Sequence, residues 1–313
     1  MKTALLFPGQ GSQYVGMGRS LWNGFAFVRE LFEVACNVLG FDIRSLCFEG
    51  PENLLNSTRY TQPSIFVVSV SAHRAFQETS KLPIALVAGH SLGEYAALVA
   101  AGSLSFEDGL RVVRERACLM EETTAVARGG MVAVLGLPRQ DVDQICADAA
   151  NGGVLLPVNY NAPNQVVISG EERLLEKAME TARARGAKTI RLPVSAPFHT
   201  PLMAPASDRF SKILENTPFK PPDPPWVSNV IASAVYTADD CRRLLAQQVC
   251  APVRWEDSIR TMLASGIERF IEVGPGKVLK GLCKRIARET PCDSIDCFED
   301  LQTLETPSRP GEA

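Results

Sequence analysis

The sequence predicts an α/β fold built on a parallel sheet, with a small ferredoxin-like unit inserted into it. Three observations point there. Short apolar runs of strand length alternate with longer segments of helical spacing. A G-x-S-x-G turn falls between one such run and the helical segment that follows it. Residues 130–193 carry a self-contained βαββαβ rhythm. The chain has 313 residues, 46% of them apolar, enough for one large domain or for one plus a smaller insert.

Taken in order, Thr3–Phe7 reads as a strand running into a Gly-rich loop. The spacing predicts a helix over 64–76, and Ile84–Gly89 is a continuous apolar run, hence a buried strand. Helices are expected over 92–101 and 106–121, and strands over 226–230 and Arg269–Val273. Inside the insert, MVAVLGL, GVLLPVNY, QVVISG and KTIRLPV are strands. QDVDQICADAA and ERLLEKAMETARARG are helices. The expected division is a main domain at 1–128 and 194–298, the insert at 129–193, and a frayed tail at 299–313. No repeat of 20–50 residues is present.

Charge and composition exclude several functions. Lys plus Arg is 32 and Asp plus Glu is 35, a net −3 that gives no support for nucleic acid as a partner. Nine cysteines without a CxxC pair predict reduced thiols. The first apolar run stops at Pro8, too short for a signal-peptide core. No run of 18 apolar residues exists, so no membrane span and a cytoplasmic location are expected. Gly9-Gln10-Gly11-Ser12 lacks the Lys of a P-loop and the third glycine of a dinucleotide fingerprint. Three dispersed histidines have no ligand spacing, so no metal is expected.

Residues 89–95 read Gly-His-Ser-Leu-Gly-Glu-Tyr. Between a strand and a helix, this is the context of a nucleophile elbow. The glycines permit a sharp turn that lifts the Ser91 hydroxyl off the sheet, and the helix N-terminus offers N–H groups to an oxyanion. A serine needs a base. His73 falls inside the 64–76 helix, and the side chain of His90 should diverge from that of Ser91. His199, after the stiffening Pro197, is the best candidate. No acidic third member is evident, so a Ser–His dyad is expected with its orienting group open.

In the 106–121 helix, Leu110, Val112, Val113, Ala117, Leu119 and Met120 share one arc, and Arg116 falls inside it. An arginine on a buried stripe needs an anionic partner. Two readings fit: a structural salt bridge, or a bidentate clamp on a substrate carboxylate.

Six segments in order carry a resemblance: FPGQGSQ at 7–13, GHSLGEY at 89–95, RERACLM at 114–120, VNYNAPNQVVISG at 158–170, VSAPFHTPLM at 194–203 and EVGPGKVLKGL at 272–282. Together they resemble the malonyl-CoA:acyl carrier protein transacylases of fatty acid synthesis, over about residues 3–298. The resemblance implies a hydrolase-like α/β domain with a ferredoxin-like insert, malonyl-CoA and acyl carrier protein as substrates, and no cofactor. It implies Ser91 as nucleophile and His199 as base. It puts the oxyanion between the backbone N–H groups of Gln10 and Leu92, and Arg116 on the malonyl carboxylate. His90 and Asn161 match positions near the site. The family orients its histidine with a backbone carbonyl, which the resemblance places at Arg254, where the family has glutamine. Arginine there is also similar to stand-alone acyltransferases that load polyketide synthases.

From 277 to 288 the helical wheel is two-sided. Leu279, Leu282, Cys283 and Ile286 form one arc, and Lys277, Lys280, Lys284, Arg285 and Arg288 the other. The basic arc fits either a solvated face or, since the family implies an acidic carrier, a docking patch. Two rivals share the chemistry or the scaffold: a serine hydrolase or editing thioesterase, and a non-catalytic scaffold of a synthase complex.

Overall fold

The computed structural model describes residues 1–123, 128–194 and 196–304. Its strands are β1 Thr3–Phe7, β2 Ile84–Gly89, β3 Gly129–Leu135, β4 Leu155–Ala162, β5 Gln165–Glu171, β6 Lys188–Arg191, β7 Trp226–Ser228, β8 Ser233–Val235, β9 Arg269–Val273 and β10 Cys292–Ile295. Six of them form one sheet in the order β10-β9-β1-β2-β7-β8. All its pairings are parallel except β7–β8, so the sheet carries one antiparallel edge strand. The other four form an antiparallel sheet in the order β4-β5-β3-β6. Helices Arg139–Ala150 and Glu172–Ala184 fill the two connections of this βαββαβ unit.

Strand alternation explains why the central strands are apolar throughout. Leu5, Phe7, Val87 and Ile271 point into one buried cluster, while Ala4, Leu6, Leu86 and Phe270 point into another across the sheet. With both faces covered, each side chain on either face contributes about 1.5–3 kcal/mol of apolar burial when it is Leu-sized. A third cluster, around Val132, Ile168 and Leu175, lies under the small sheet.

Several boundaries shift by one or two residues, as the strand expected at 226–230 ends at Ser228, and two differ more. The helix expected at 64–76 spans Thr58–Thr79, with Pro63 inside it. Its first turn is polar, and Pro63 reads as a stop, yet Thr58, Thr61 and Gln62 are buried. The segment expected to fray at 299 begins instead as the helix Phe298–Leu304, with Leu301 buried. Asp300 secures its start by accepting from the backbone N–H groups of Asp296 and Cys297. Residues 305–313 of that expected tail lie outside the described residues. No described helix is long and apolar enough to cross a membrane.

Candidate active site

The carboxyl ends of β1 and β2 lie side by side, with Phe7 opposite Gly89. The loop after β1 brings Gln10, and the turn after β2 brings Ser91. The two glycines of the turn are needed for close approach. A Cβ on Gly89 would sit 1.9 Å from the Gly93 carbonyl carbon, and one on Gly93 would sit 2.0 Å from the Phe7 oxygen. Ser91 itself adopts φ of +50°, a left-handed conformation costing about 1–3 kcal/mol for a residue with a Cβ. The surroundings hold it there. Its N–H donates to Asn229 Oδ1 at 2.7 Å, and its carbonyl accepts from Gln248 Nε2 at 2.8 Å.

The Ser91 hydroxyl oxygen lies 2.9 Å from His199 Nε2. His199 Nδ1 lies 2.9 Å from the backbone oxygen of Gln248. A carbonyl only accepts, so Nδ1 carries the hydrogen and Nε2 presents its lone pair to the serine. Burial first, and the nearby Arg116 cation second, push the His199 pKa down to about 3. The imidazole is therefore neutral at pH 7 and able to take a proton.

Arg116 is 1% exposed, on the buried face of the helix Phe106–Thr123. Its Nη1 donates to Gln62 Oε1 at 2.7 Å, and Nη2 donates to Gln248 Oε1 at 2.9 Å and to Ser91 Oγ at 3.1 Å. No carboxylate among the described residues lies within ion-pair distance of it. A cavity of about 80 Å³ opens between these groups, lined among others by Gln10, His90, Leu92, Asn159 and Phe198. Such a site has a nucleophile, a base, a cation and a small acyl-sized space: the parts of an acyl-transfer centre.

A family model described as an acyl transferase domain matches residues 4–298. The chain belongs to the acyl transferase domain family. The malonyl CoA-acyl carrier protein transacylase of Escherichia coli strain K12 is 43% identical to this acyltransferase over 284 residues, 90% of this chain and 92% of the relative. The protein of that name in Bacillus subtilis strain 168 is 40% identical over 306 residues, 97% and 95% of the two chains. A solved complex of a malonyl-transacylase with its type II polyketide acyl-carrier protein matches with a TM-score of 0.94 at 39% identity, covering 97% of this chain and 98% of that one. The family read from the six sequence segments is the family found.

Within the acyltransferase, Gln10 and Leu92 both face the cavity, and neither backbone N–H donates to an acceptor among the described residues. His90 lines the cavity but bonds to neither Ser91 nor His199: its Nε2 lies 2.8 Å from Asn161 Oδ1, and its ring packs 5.5 Å from that of Trp255. Asn161 is buried behind it rather than on the cavity wall. His73 is a core residue against the Phe7 ring.

The expectation for Arg254 is corrected. Its carbonyl accepts from the N–H and hydroxyl of Ser258 at the start of the helix Trp255–Ala264. Its guanidinium pairs with Asp257 at 2.9 Å. The carbonyl that holds His199 belongs to Gln248, six positions earlier. The basic arc is also shorter than expected. The helix there is Val278–Ile286, so Lys277 stands at its N-cap and Arg288 lies in a turn beyond its end. Lys277, Lys284, Arg285 and Arg288 are exposed and Lys280 is half-buried. Arg285 donates to Gln165 at 2.9 Å.

Four residues of the site escaped sequence reasoning: Gln62, Glu94, Asn229 and Gln248. Gln248 had a signal. Cys241, Leu244, Leu245 and Gln248 recur at helical spacing and all are buried, the pattern that singled out Arg116. Burial raises the Glu94 carboxyl to about 8, even with N–H donors from Asn229 and Gln248 and the Arg116 charge opposing it.

Proposed function

We propose that this acyltransferase carries the malonyl group from malonyl-CoA to the phosphopantetheine thiol of acyl carrier protein as a malonyl ester of Ser91. One observation carries the choice of acyl group. A buried arginine without a carboxylate partner among the described residues touches the nucleophile, and desolvated cations require an anion. A dicarboxylic acyl group supplies that anion through its free carboxylate.

The first half-reaction begins as the Ser91 proton passes to His199 Nε2 and Oγ attacks the thioester carbonyl. The backbone N–H groups of Gln10 and Leu92 receive the oxyanion. The Nδ1–H···O bond to Gln248 steadies the imidazolium. Collapse breaks the C–S bond, and the CoA thiolate takes the proton from Nε2. In the second half the carrier thiol gives its proton to His199 and attacks the ester, and Ser91 leaves with that proton. No electrons change hands and each proton has a protein carrier, so the reaction needs no metal or redox cofactor. The helix Val278–Ile286 starts beside the Gly9–Ser12 loop, where a Cβ on Gly276 would meet the Ser12 oxygen at 3.1 Å. It follows β9, two strands and about 10 Å along the sheet edge from β2. Its basic residues Lys277, Lys280, Lys284 and Arg285, with Arg288 beyond, form the docking patch for the acidic carrier. Nine unpaired cysteines support a reducing compartment, the cytoplasm.

The test is intact-mass analysis after mixing with malonyl-, methylmalonyl- and acetyl-CoA, followed by fatty-acid or polyketide carrier proteins. One malonyl group on a peptide containing Ser91, discharged by a carrier, is expected. Ser91→Ala should abolish the adduct and His199→Ala should slow it by about 100-fold or more. Malonyl on another residue, or release only as free malonate, would refute the reading in favour of a different nucleophile or a hydrolase.

A further inference from the structure

Glu94 stands three residues after the nucleophile and is wholly buried beside Tyr95, Ala96 and Ala97. The mechanism above makes no use of it. Both of its oxygens accept: Oε1 from the Asn229 backbone N–H at 2.6 Å, and Oε2 from Gln248 Nε2. With both oxygens accepting, Glu94 dictates which end of the Gln248 amide faces it. Nε2 turns to Glu94, and Oε1 is left to face Arg116 Nη2 at 2.9 Å. The same Nε2 also donates to the Ser91 carbonyl. Through Asn229, whose side chain joins Ser91 N–H to the Gly89 carbonyl, Glu94 holds the elbow from a second side.

We propose that Glu94 is a positioning residue that sets the direction of the Gln248 amide and thereby aims the Arg116 fork at the acyl carboxylate. The relay separates two requirements that a direct ion pair would set against each other. A buried cation is stabilised by a nearby negative charge, but an acid in contact with Arg116 would occupy the fork. With a neutral amide between them, the acid stays one residue back, and only one Nη2 hydrogen of the fork is taken up by Gln248. The proposal rests on the reading of Arg116 as the carboxylate clamp.

The test compares malonyl and acetyl loading of Ser91, by intact mass over time, in wild type, Glu94→Gln, Gln248→Met and the double variant. In Glu94→Gln one end of the new amide meets a donor with a donor, and the Gln248 amide loses its direction. Gln248→Met removes the relay but keeps the carbonyl that holds His199. In each, the malonyl-to-acetyl ratio should fall about 10-fold or more, equivalent to about 1.4 kcal/mol, with malonyl KM rising. The double variant should be no worse than the poorer single one, since both cut the same relay. A fourth variant, Glu94→Gln with Gln248→Glu, places the acid against Arg116 and should lower the ratio further while keeping the melting temperature near that of Glu94→Gln. Equal losses on both substrates, or additive effects, overturn the proposal. Should Glu94→Gln fail to fold, the ratio in Gln248→Met decides alone. A wild type that never takes malonyl on Ser91 sinks the proposed function; one that does, with an unchanged ratio in the variants, sinks only the relay.

Discussion

Replacing Arg116 by alanine separates a specificity role from a structural one. The wild-type guanidinium gives one bond to Gln62 through Nη1 and two through Nη2, to Gln248 and Ser91 Oγ. That leaves two hydrogens without a bond, the second on Nη1 and the one on the buried Nε. Acylation of Oγ weakens its claim on Nη2, so a two-pronged grip on the malonyl carboxylate becomes available as the ester forms. Such a charge-assisted pair in a partly dry site is worth roughly 2–4 kcal/mol, or about 30- to 1,000-fold in selectivity. Folding should suffer little, because the variant also removes the cost of a desolvated cation. The assay is the ratio of malonyl to acetyl loading rates on Ser91, with thermal melts as control. Arg116→Ala should lose most malonyl loading and keep acetyl loading at or above the wild-type rate. Arg116→Lys should recover only part, because a point charge cannot form the fork. Equal losses on both substrates would refute the clamp, and malonyl selectivity would then have to come from elsewhere in the cavity.

Two further outcomes follow from the charges. Burial pushes His73 down to about 4, so between about pH 6.5 and 4 the unfolded chain binds a proton that the folded chain refuses. Stability should drop as pH falls through that window, by up to about 3 kcal/mol from this residue. In urea melts at pH 7 and 5, His73→Phe should show a smaller drop than wild type; an identical drop would remove His73 as a cause. Reversing the charge of Lys280 and Lys284, neither of which is in an ion pair among the described residues, should raise KM for the carrier and spare malonyl-CoA loading. That effect should shrink with salt, as exposed charges are screened, and unchanged carrier kinetics at low salt would retire the patch.

What the sequence disclosed about this site was local, and what it hid was long-range. The elbow is written in seven consecutive residues because a turn, its glycines and the helix start are neighbours in the chain. Arg116 showed itself because a cation on a buried helical stripe is anomalous by periodicity alone. The partners of these groups carry no such mark. Ser91 meets Asn229 and Gln248 across 138 and 157 residues, and Arg116 meets Gln62 across 54. Neutral amides are unremarkable in composition, and only the meeting of the helices that carry Gln62, Arg116 and Gln248 with the turn after β7 gives them a role. The carbonyl that orients His199 shows the limit most clearly. Every residue has a carbonyl, so side-chain identity cannot locate it. Alignment to a motif put it at Arg254, while the fold spends that carbonyl on the first turn of a helix.

The same geometry bears on why a thiol should prevail over water in the second half-reaction. A serine ester beside a neutral imidazole is chemically open to either nucleophile. The cavity of about 80 Å³ holds two or three waters at roughly 30 Å³ each. In the proposed reaction a malonyl group, with six heavy atoms, takes up most of that room, with Arg116 as its proposed clamp. Little space for water then remains beside the ester. The carrier's thiol does not depend on that space, because the proposed docking patch for its protein lies elsewhere on the surface. Binding energy from a remote patch can be spent on positioning the thiol against His199 Nε2, and water has no such source. On the proposed function, selectivity for transfer comes from two features acting together: an acyl pocket small enough to be filled by its own substrate, and the proposed docking surface, which acts only on a nucleophile carried by a protein.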